Sequence, residues 1–336
     1  MRPLPETLAH QTLMGETLLA TVNRVLFVGS KQLGLRVLQE MHSLSAESLV
    51  GVLTIDDRND TRSVFPDFHE FSSNKALQLH VAKNRKDAER IIEQLKPDLC
   101  LVVGWYWLIG PEALTAVPSG FIGIHNSLLP KYRGGSPLIW PIINGDKEVG
   151  FSFFSFTPGM DDGPIWAQGR VSVEDDDFIW DILAKLENKT IEVLRENYMH
   201  ILKGTITPVE QDHTRVTYCA QRFPYDGNID WHKPAKDVYN FVRAQSDPYP
   251  GSFTYVDGQL LRIWKARRFE ETYYGTPGQV ARLSDEGVYV ICGDHRAIIL
   301  QEVSLGDQRG KAGNFIKSIK SRMSSNIGDS LANVKL

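Results

Sequence analysis

The chain has 336 residues, 42% hydrophobic and 23% charged, enough apolar material for one full core and a second, smaller one. A formal net charge of -4 gives no global attraction to nucleic acid, whose phosphates call for a basic face. Cys100, Cys219 and Cys292 are widely spaced and form no CxxC pair, which argues against a disulfide framework or a zinc site, and no stretch is long enough to span a membrane; a reduced cytoplasmic setting is expected.

Residues 1–22 lack the charged and then unbroken apolar layout of a secretory signal and are expected to form an N-terminal extension. RVLFVGS (24–30) reads as a buried strand ending in a turn, and QLGLRVLQEMHSL follows with helical spacing through Leu35, Leu38 and Met41. LVGVLTIDD (49–57) repeats the strand pattern and leads into a polar loop. DAERIIEQLKPDLCLVV then gives a helix closed by Pro97 and a buried strand at 99–103. GFIGIHNS (120–127) and VGFSFFSFT (149–157) are two more strands. Strands alternating with helices imply an α/β fold with a parallel, doubly wound, Rossmann-like sheet. Between Asp176 and Lys203 the stripe Ile179, Ile182, Leu183, Leu186, Val193, Leu194, Ile201 and Leu202 predicts a long amphipathic helix that ends at Gly204. Beyond it, short strands around 253–256, 260–266, 277–283, 288–291 and 297–304, punctuated by Gly and Asp-Gly turns, predict a small β-barrel. The expected organisation is an extension at 1–22, an α/β domain at 23–205, a barrel domain at 206–312 and a frayed tail at 313–336.

Three places carry candidate chemistry. GSKQLG puts Gly29 and Gly34 at a strand-to-helix turn without the G-x-G-x-x-G spacing of a pyrophosphate cradle. Asp56 and Asp57 stand where a ribose-binding acid would, but an ordinary helix-starting turn is preferred to a nicotinamide site. His125 closes a strand at the sheet's carboxyl end, where open α/β sheets bind ligands; Gly123 shares its face, and Asn126 points oppositely if the strand continues. A lone histidine there is more often a hydrogen-bonded structural residue than a catalyst. In TPGMDDGPI (157–165) the adjacent carboxylates are either turn chemistry or, in one of them, the partner that orients His125 and holds its proton. No cluster with metal-ligand spacing appears.

HNSLLPKYRGGSPLIWPIINGDKEVGFSFFSFTPGMDDGPIWAQ (125–168) resembles the core of the folate-dependent formyltransferases, through S-L-L-P-x-x-R-G, N-G-D-K-E-x-G and D-x-G-P-I. The similarity runs from Arg24 to Leu305. Its second half, from RFPYDGNIDWHKP onward, looks most like the C-terminal, OB-like domain of the sugar-nucleotide N-formyltransferase that acts on UDP-4-amino-4-deoxyarabinose, and also like that of the tRNA enzymes. The resemblance implies transfer of a formyl group from 10-formyltetrahydrofolate to an amine, with no metal. It implies His125 as the catalytic histidine and Asp161 as the aspartate that favours its protonated form. Trp107, Leu108 and Ile109 match one folate-contacting loop, and Thr157, Pro158, Gly159, Met160 and Asp161 match the other. In such chemistry a neutral amine attacks the formyl carbon, a donor such as protonated His125 steadies the oxygen, and the folate amine leaves. The base that relieves the attacking amine is His125 or Asp161, directly or through water.

Two positions depart from the family pattern. The family has an asparagine two residues before the histidine, where this chain has Gly123. Three readings follow: Asn126 turns inward and joins the catalytic set, a water sits beside Gly123, or transfer is impaired. Gly135 stands where the amino-arabinose enzyme has an arginine.

Residues 205–336 hold 17 Lys plus Arg against 15 Asp plus Glu, and the 56–75 loop is acidic and aromatic; neither looks like a surface that grips tRNA. The expected acceptor is a small molecule, a nucleotide-linked amino sugar. Arg222, Tyr225, Arg243 and Tyr249 are candidate contacts to its pyrophosphate and base, the competing reading being that they are core or ion-paired residues. Methionyl-tRNA formylation, hydrolysis of formyltetrahydrofolate, and a non-catalytic folate- or nucleotide-binding role are the alternatives, and a homodimer is compatible with the sequence.

Overall fold

The computed structural model describes residues 20–333, so the expected extension at 1–22 falls almost wholly outside the described residues. Val22 is buried and its N–H donates to the Leu202 carbonyl (2.8 Å), which ties the start of the described chain to the first domain. That domain comprises β1 (Val25–Gly29), α1 (Lys31–Ser45), β2 (Leu49–Ile55), α2 (Phe65–Asn74), β3 (Leu79–Ala82), α3 (Arg85–Leu95), β4 (Leu99–Val103), α4 (Pro111–Ala116), β5 (Phe121–His125), β6 (Arg133–Gly134), α5 (Ile139–Asn144), β7 (Glu148–Ser155), β8 (Ile165–Ser172) and α6 (Ile179–Leu202).

Seven of these strands form one sheet in the order β3-β2-β1-β4-β5-β7-β8. The five through β5 are parallel and covered on both faces, which is why β1 and β4 are unbroken apolar runs rather than alternations. β7 and β8 add an antiparallel edge to the parallel, doubly wound sheet expected from the sequence. Residues 126–147, which carry β6 and α5, return the chain so that β7 enters the sheet from the end that β5 left. The loop expected after β2 contains α2, anchored by buried Phe68, and the edge strand β3.

α1 and α6 cover one face over Phe27, Leu101, Ile122 and Phe153, while α3 and α4 cover the other over Val28, Cys100, Val102 and Phe121. Alternation along β5 therefore sends Ile122 and Ile124 to the α6 side, and Phe121, Gly123 and His125 to the α3–α4 side.

After α6 a connector carries the short strand β9 (Tyr218–Cys219), which pairs in parallel with β6. The second domain holds α7 (Ala235–Gln245), β10 (Ser252–Val256), β11 (Gln259–Phe269), β12 (Val280–Ser284), β13 (Gly287–Ile291), β14 (Ala297–Leu305), β15 (Gln308–Lys311), α8 (Ala312–Phe315), β16 (Met323–Ser324) and α9 (Ile327–Asn333). Its antiparallel sheet runs β12-β13-β14-β11-β10-β16, with β15 on β14, and curls around Leu261, Ile263, Val290, Ile298, Leu300 and Val303. α7 and Trp231 close this core. The stretch expected to be a frayed tail is instead part of the domain: Ile316 and Met323 are buried in the core, β16 pairs with β10, and the Ser330 hydroxyl accepts from the Gly258 N–H (2.8 Å). Short apolar side chains in a Ser- and Lys-rich segment gave no periodicity to see.

Candidate active site

His125 ends β5 with only 8% of its surface exposed. Its Nε2 lies 2.8 Å from the Tyr132 carbonyl oxygen, which can only accept, so Nε2 carries the hydrogen of the neutral ring and Nδ1 is the open nitrogen. Nδ1 faces Asp161 Oδ2 at 3.7 Å, an ion-pair distance once the ring is protonated and too long for a direct hydrogen bond.

Both partners are held by groups from the quoted motifs. The Tyr132 hydroxyl donates to Asp146 Oδ2 (2.8 Å) and accepts from Asn144 Nδ2 (3.2 Å), so the N-G-D segment fixes the residue whose carbonyl orients His125. Asp161 sits at φ +49°, and its Oδ2 accepts from the Gly134 N–H (2.8 Å). The Gln211 amide nitrogen donates to the carbonyls of Asp161 (2.9 Å) and Gly163 (2.7 Å), while its oxygen accepts from Arg133 Nη2 (2.6 Å) and Nε (3.1 Å). Arg133 and Gln211 are both buried. The sequence reading missed them as positioning residues: Arg133 was visible only as a letter of R-G, and Gln211, in the connector, carried no signal. The two adjacent aspartates have different tasks, since Asp162 accepts the Thr157 hydroxyl and pins the turn that presents Asp161. Cys219 borders the site, with Sγ 3.3 Å from the Tyr132 oxygen; burial, reinforced by the Asp161 charge, pushes its thiol up to about 11, so it stays protonated and is no nucleophile.

The structure corrects two readings of Gly123. Asn126 does not turn towards His125: it lines a cleft on the α6 side with Ser30, Lys31, Gly104 and Ile124. The space beside Gly123 is filled by the ring of Phe156, and a Cβ there would overlap Cε1 and lie 2.6 Å from Cζ. Gly135 has a comparable cause. A Cβ on it would come within 2.5 Å of the Gln221 backbone, because the connector lies directly against it.

Trp105 and Trp107 meet edge to face (5.3 Å), with the Trp105 indole N–H buried and without a partner among the described residues. Leu108 and Met160 are exposed by 82% and 60%. Leu108 and Met160 lie in the two segments expected to contact folate, and exposed apolar side chains of this size mark candidate ligand surfaces.

Residues 22–197 match the family described as Formyl transferase, and residues 223–320 match Formyl transferase, C-terminal domain. The chain belongs to the formyl transferase family. This transferase is 31% identical over 292 residues to the methionyl-tRNA formyltransferase of Acetivibrio thermocellus, covering 85% of this chain and 93% of that one. Among solved structures, WlaRD, a sugar 3N-formyl transferase, has a TM-score of 0.63 at 18% identity, over 86% of this chain and 100% of that one. HypX from Aquifex aeolicus has a TM-score of 0.62 at 18% identity over 88% of this chain, which spans about half of it (47%). The protein is therefore a formyl-transfer enzyme.

A cleft of about 680 Å³ between the domains of the transferase is lined by Arg62, Ser136, Gln221, Arg222, Phe223 and Tyr249, among others. Thr61, Arg62, Pro248 and Tyr249 also line the cleft that holds Asn126, so the two adjoin. Arg222 sits between the rings of Trp140 (5.0 Å) and Phe241 (5.3 Å). Its Nη2 donates to the Asp226 carbonyl (2.6 Å) and to Gln245 Oε1 (2.7 Å), its Nε has no partner, and it has no ion pair among the described residues. Tyr225 is largely exposed and stacked on Phe223 (5.5 Å). Arg243 departs from its expected role. It is buried, and its guanidinium donates to Asn240 Oδ1 (3.0 Å) and to the carbonyls of Glu174 (2.7 Å) and Asp177 (3.1 Å), which makes it a strut between α7 and the start of α6. Asp57 pairs with Lys31 (2.7 Å) and Asp56 with Arg58 (2.6 Å), so both acids at the ribose-binding position are tied to basic neighbours. Among the described residues no group of three or more His, Cys, Asp or Glu side chains is placed to hold a metal, and no helix is long and apolar enough to cross a membrane.

Proposed function

We propose that this enzyme moves the formyl group of 10-formyltetrahydrofolate onto the amine of a nucleotide-linked amino sugar. Arg222 carries this reading. It is a half-buried cation stacked between two aromatic rings and bonded only to neutral oxygens, in a cleft of nucleotide size. Such a cation gains most from an anionic ligand, and a pyrophosphate offers guanidinium a matched set of acceptors. The exposed Phe223–Tyr225 stack beside it offers a ring face for a base. WlaRD, whose structure includes dTDP, is a relative of this acceptor class.

In the proposed reaction His125 Nδ1 receives the proton of the attacking amine, and the resulting imidazolium is balanced by Asp161. Protonated His125 then donates towards the oxygen and towards the departing folate nitrogen. With Gly123 in place of the family's asparagine, His125 is the side-chain donor at this centre. Mass spectrometry of reactions holding 10-formyltetrahydrofolate with UDP-, dTDP- and GDP-linked amino sugars, initiator methionyl-tRNA and a no-amine control tests the acceptor. A mass gain of one formyl group on a sugar nucleotide is expected. Formylated tRNA in its place would overturn the assignment.

A further inference from the structure

β5 presents Phe121, Gly123 and His125 on the same face, and the ring of Phe156 lies across the gap that Gly123 leaves. The ring is held on both sides. It stacks on Phe121 at 6.3 Å with planes 7° apart, and it meets Phe154 at 5.3 Å; the Phe154 ring in turn meets the His125 imidazole at 6.1 Å, edge to face. The Phe156 N–H donates to the Phe121 carbonyl (2.9 Å), and Thr157 then opens the turn that carries Asp161. Phe156 therefore stands where the strand of His125 and the turn of Asp161 meet. Any side chain at residue 123 would push the ring out.

We propose that the Gly123–Phe156 pair is a water-excluding wall that sets how the enzyme divides formyl groups between amine and water. The proposal rests on formyl transfer to an amine. In transfer, the amine nitrogen bonds to the formyl carbon, the bond from that carbon to the folate nitrogen breaks, and the amine proton passes to the folate nitrogen. Water reacts by the same course, adding its oxygen to the formyl carbon and leaving formate and tetrahydrofolate. An open Nδ1 on His125 serves either nucleophile, so discrimination has to come from what else lines the centre. A bound water needs two to four polar partners, and a phenyl face over a glycine offers none. Keeping such a surface dry suppresses the hydrolytic side reaction without touching the transfer chemistry.

The test uses the full chain and compares wild type with Phe156→Ala, Phe156→Leu and Gly123→Ala. Formate release from 10-formyltetrahydrofolate is measured without amine, and 5-formyltetrahydrofolate is titrated as an unreactive probe of folate binding. Phe156→Ala is expected to release formate about fivefold faster or more, with probe affinity kept within about threefold, because the opened space admits water. Phe156→Leu, still apolar and large, stays near wild type. Gly123→Ala, whose methyl group displaces the ring, moves with Phe156→Ala and decides the matter should that variant not fold. Formate release unchanged in a folded, probe-binding Phe156→Ala or Gly123→Ala protein overturns the proposal, as does Phe156→Leu releasing as fast as Phe156→Ala, which would mean general loosening. Failure of wild type to bind the probe would instead overturn the folate chemistry, and the proposal with it.

Discussion

At His125 the tautomer decides what the residue can do. The Tyr132 carbonyl takes the Nε2 hydrogen, so the nitrogen facing Asp161 is the one able to accept a proton and later return it. His125→Ala removes that group, and Asp161→Ala removes the charge that balances it; each is expected to lower kcat about 10²- to 10⁴-fold while 5-formyltetrahydrofolate binding changes far less. Stopped assays with the identified acceptor, alongside titration of the probe, check this, and full turnover in either variant would remove the pair from the mechanism. Strand pleating put Gly123 and His125 on one face, and the family resemblance of residues 125–168 made His125 and Asp161 legible in the sequence. The ring that fills the gap at Gly123 was not, because Phe156 lies 33 positions away and reaches Gly123 through the pairing of β5 with β7. Gln211 was hidden for the same reason, since its amide acts across a connector with no periodic pattern.

At the scale of elements, β6, β9 and α7 decide how the second domain meets the first. The parallel β6–β9 pairing lays the connector on Gly135, and the Trp140 indole N–H bonds the Ala220 carbonyl (2.8 Å). Arg243 reaches from α7 to the carbonyls of Glu174 and Asp177, where α6 begins. Removing it takes this donor from the buried Asp177 carbonyl and Asn240 Oδ1, and leaves the Glu174 carbonyl only the Asp177 N–H, so Arg243→Ala is expected to lower stability by about 3 kcal/mol. Urea denaturation gives that number, and acceptor KM measured on the folded fraction separates a strut from a ligand contact: KM within about twofold of wild type is expected, and a large rise in KM with little loss of stability would restore Arg243 to the substrate site. Buried parallel strands and the long α6 were readable because they are long apolar runs or strongly periodic. α5, α7 and the elements after residue 312 were not, since each is short or draws its apolar surface from contacts with other parts of the chain.

Over the whole molecule, the distribution of charge matters more than its small total. In the second domain Arg267 pairs with Glu286 (2.7 Å), Arg268 with Glu270 (3.2 Å), Arg296 with Glu270 (3.4 Å), and Arg309 with Asp247 (2.7 Å) and Glu302 (2.6 Å). In the loop between β2 and α2, Arg58 pairs with Asp56 and Arg62 with Asp60, and the hydrogen bond from Arg62, helped by Lys31, holds the Asp60 carboxyl well below its usual range. Cations already matched to carboxylates release few counterions on meeting a polyanion. An RNA held by about six phosphate contacts would lose on the order of 10³-fold in affinity between about 50 and 200 mM salt, whereas one pyrophosphate on one arginine would lose only a few-fold. kcat/KM for the acceptor, measured at both salt concentrations with saturating formyl donor, is therefore expected to fall by no more than about fivefold. A fall of two orders of magnitude or more would mean that the acceptor is gripped along a nucleic-acid backbone, and that the paired arginines exchange their carboxylates for phosphates when it binds.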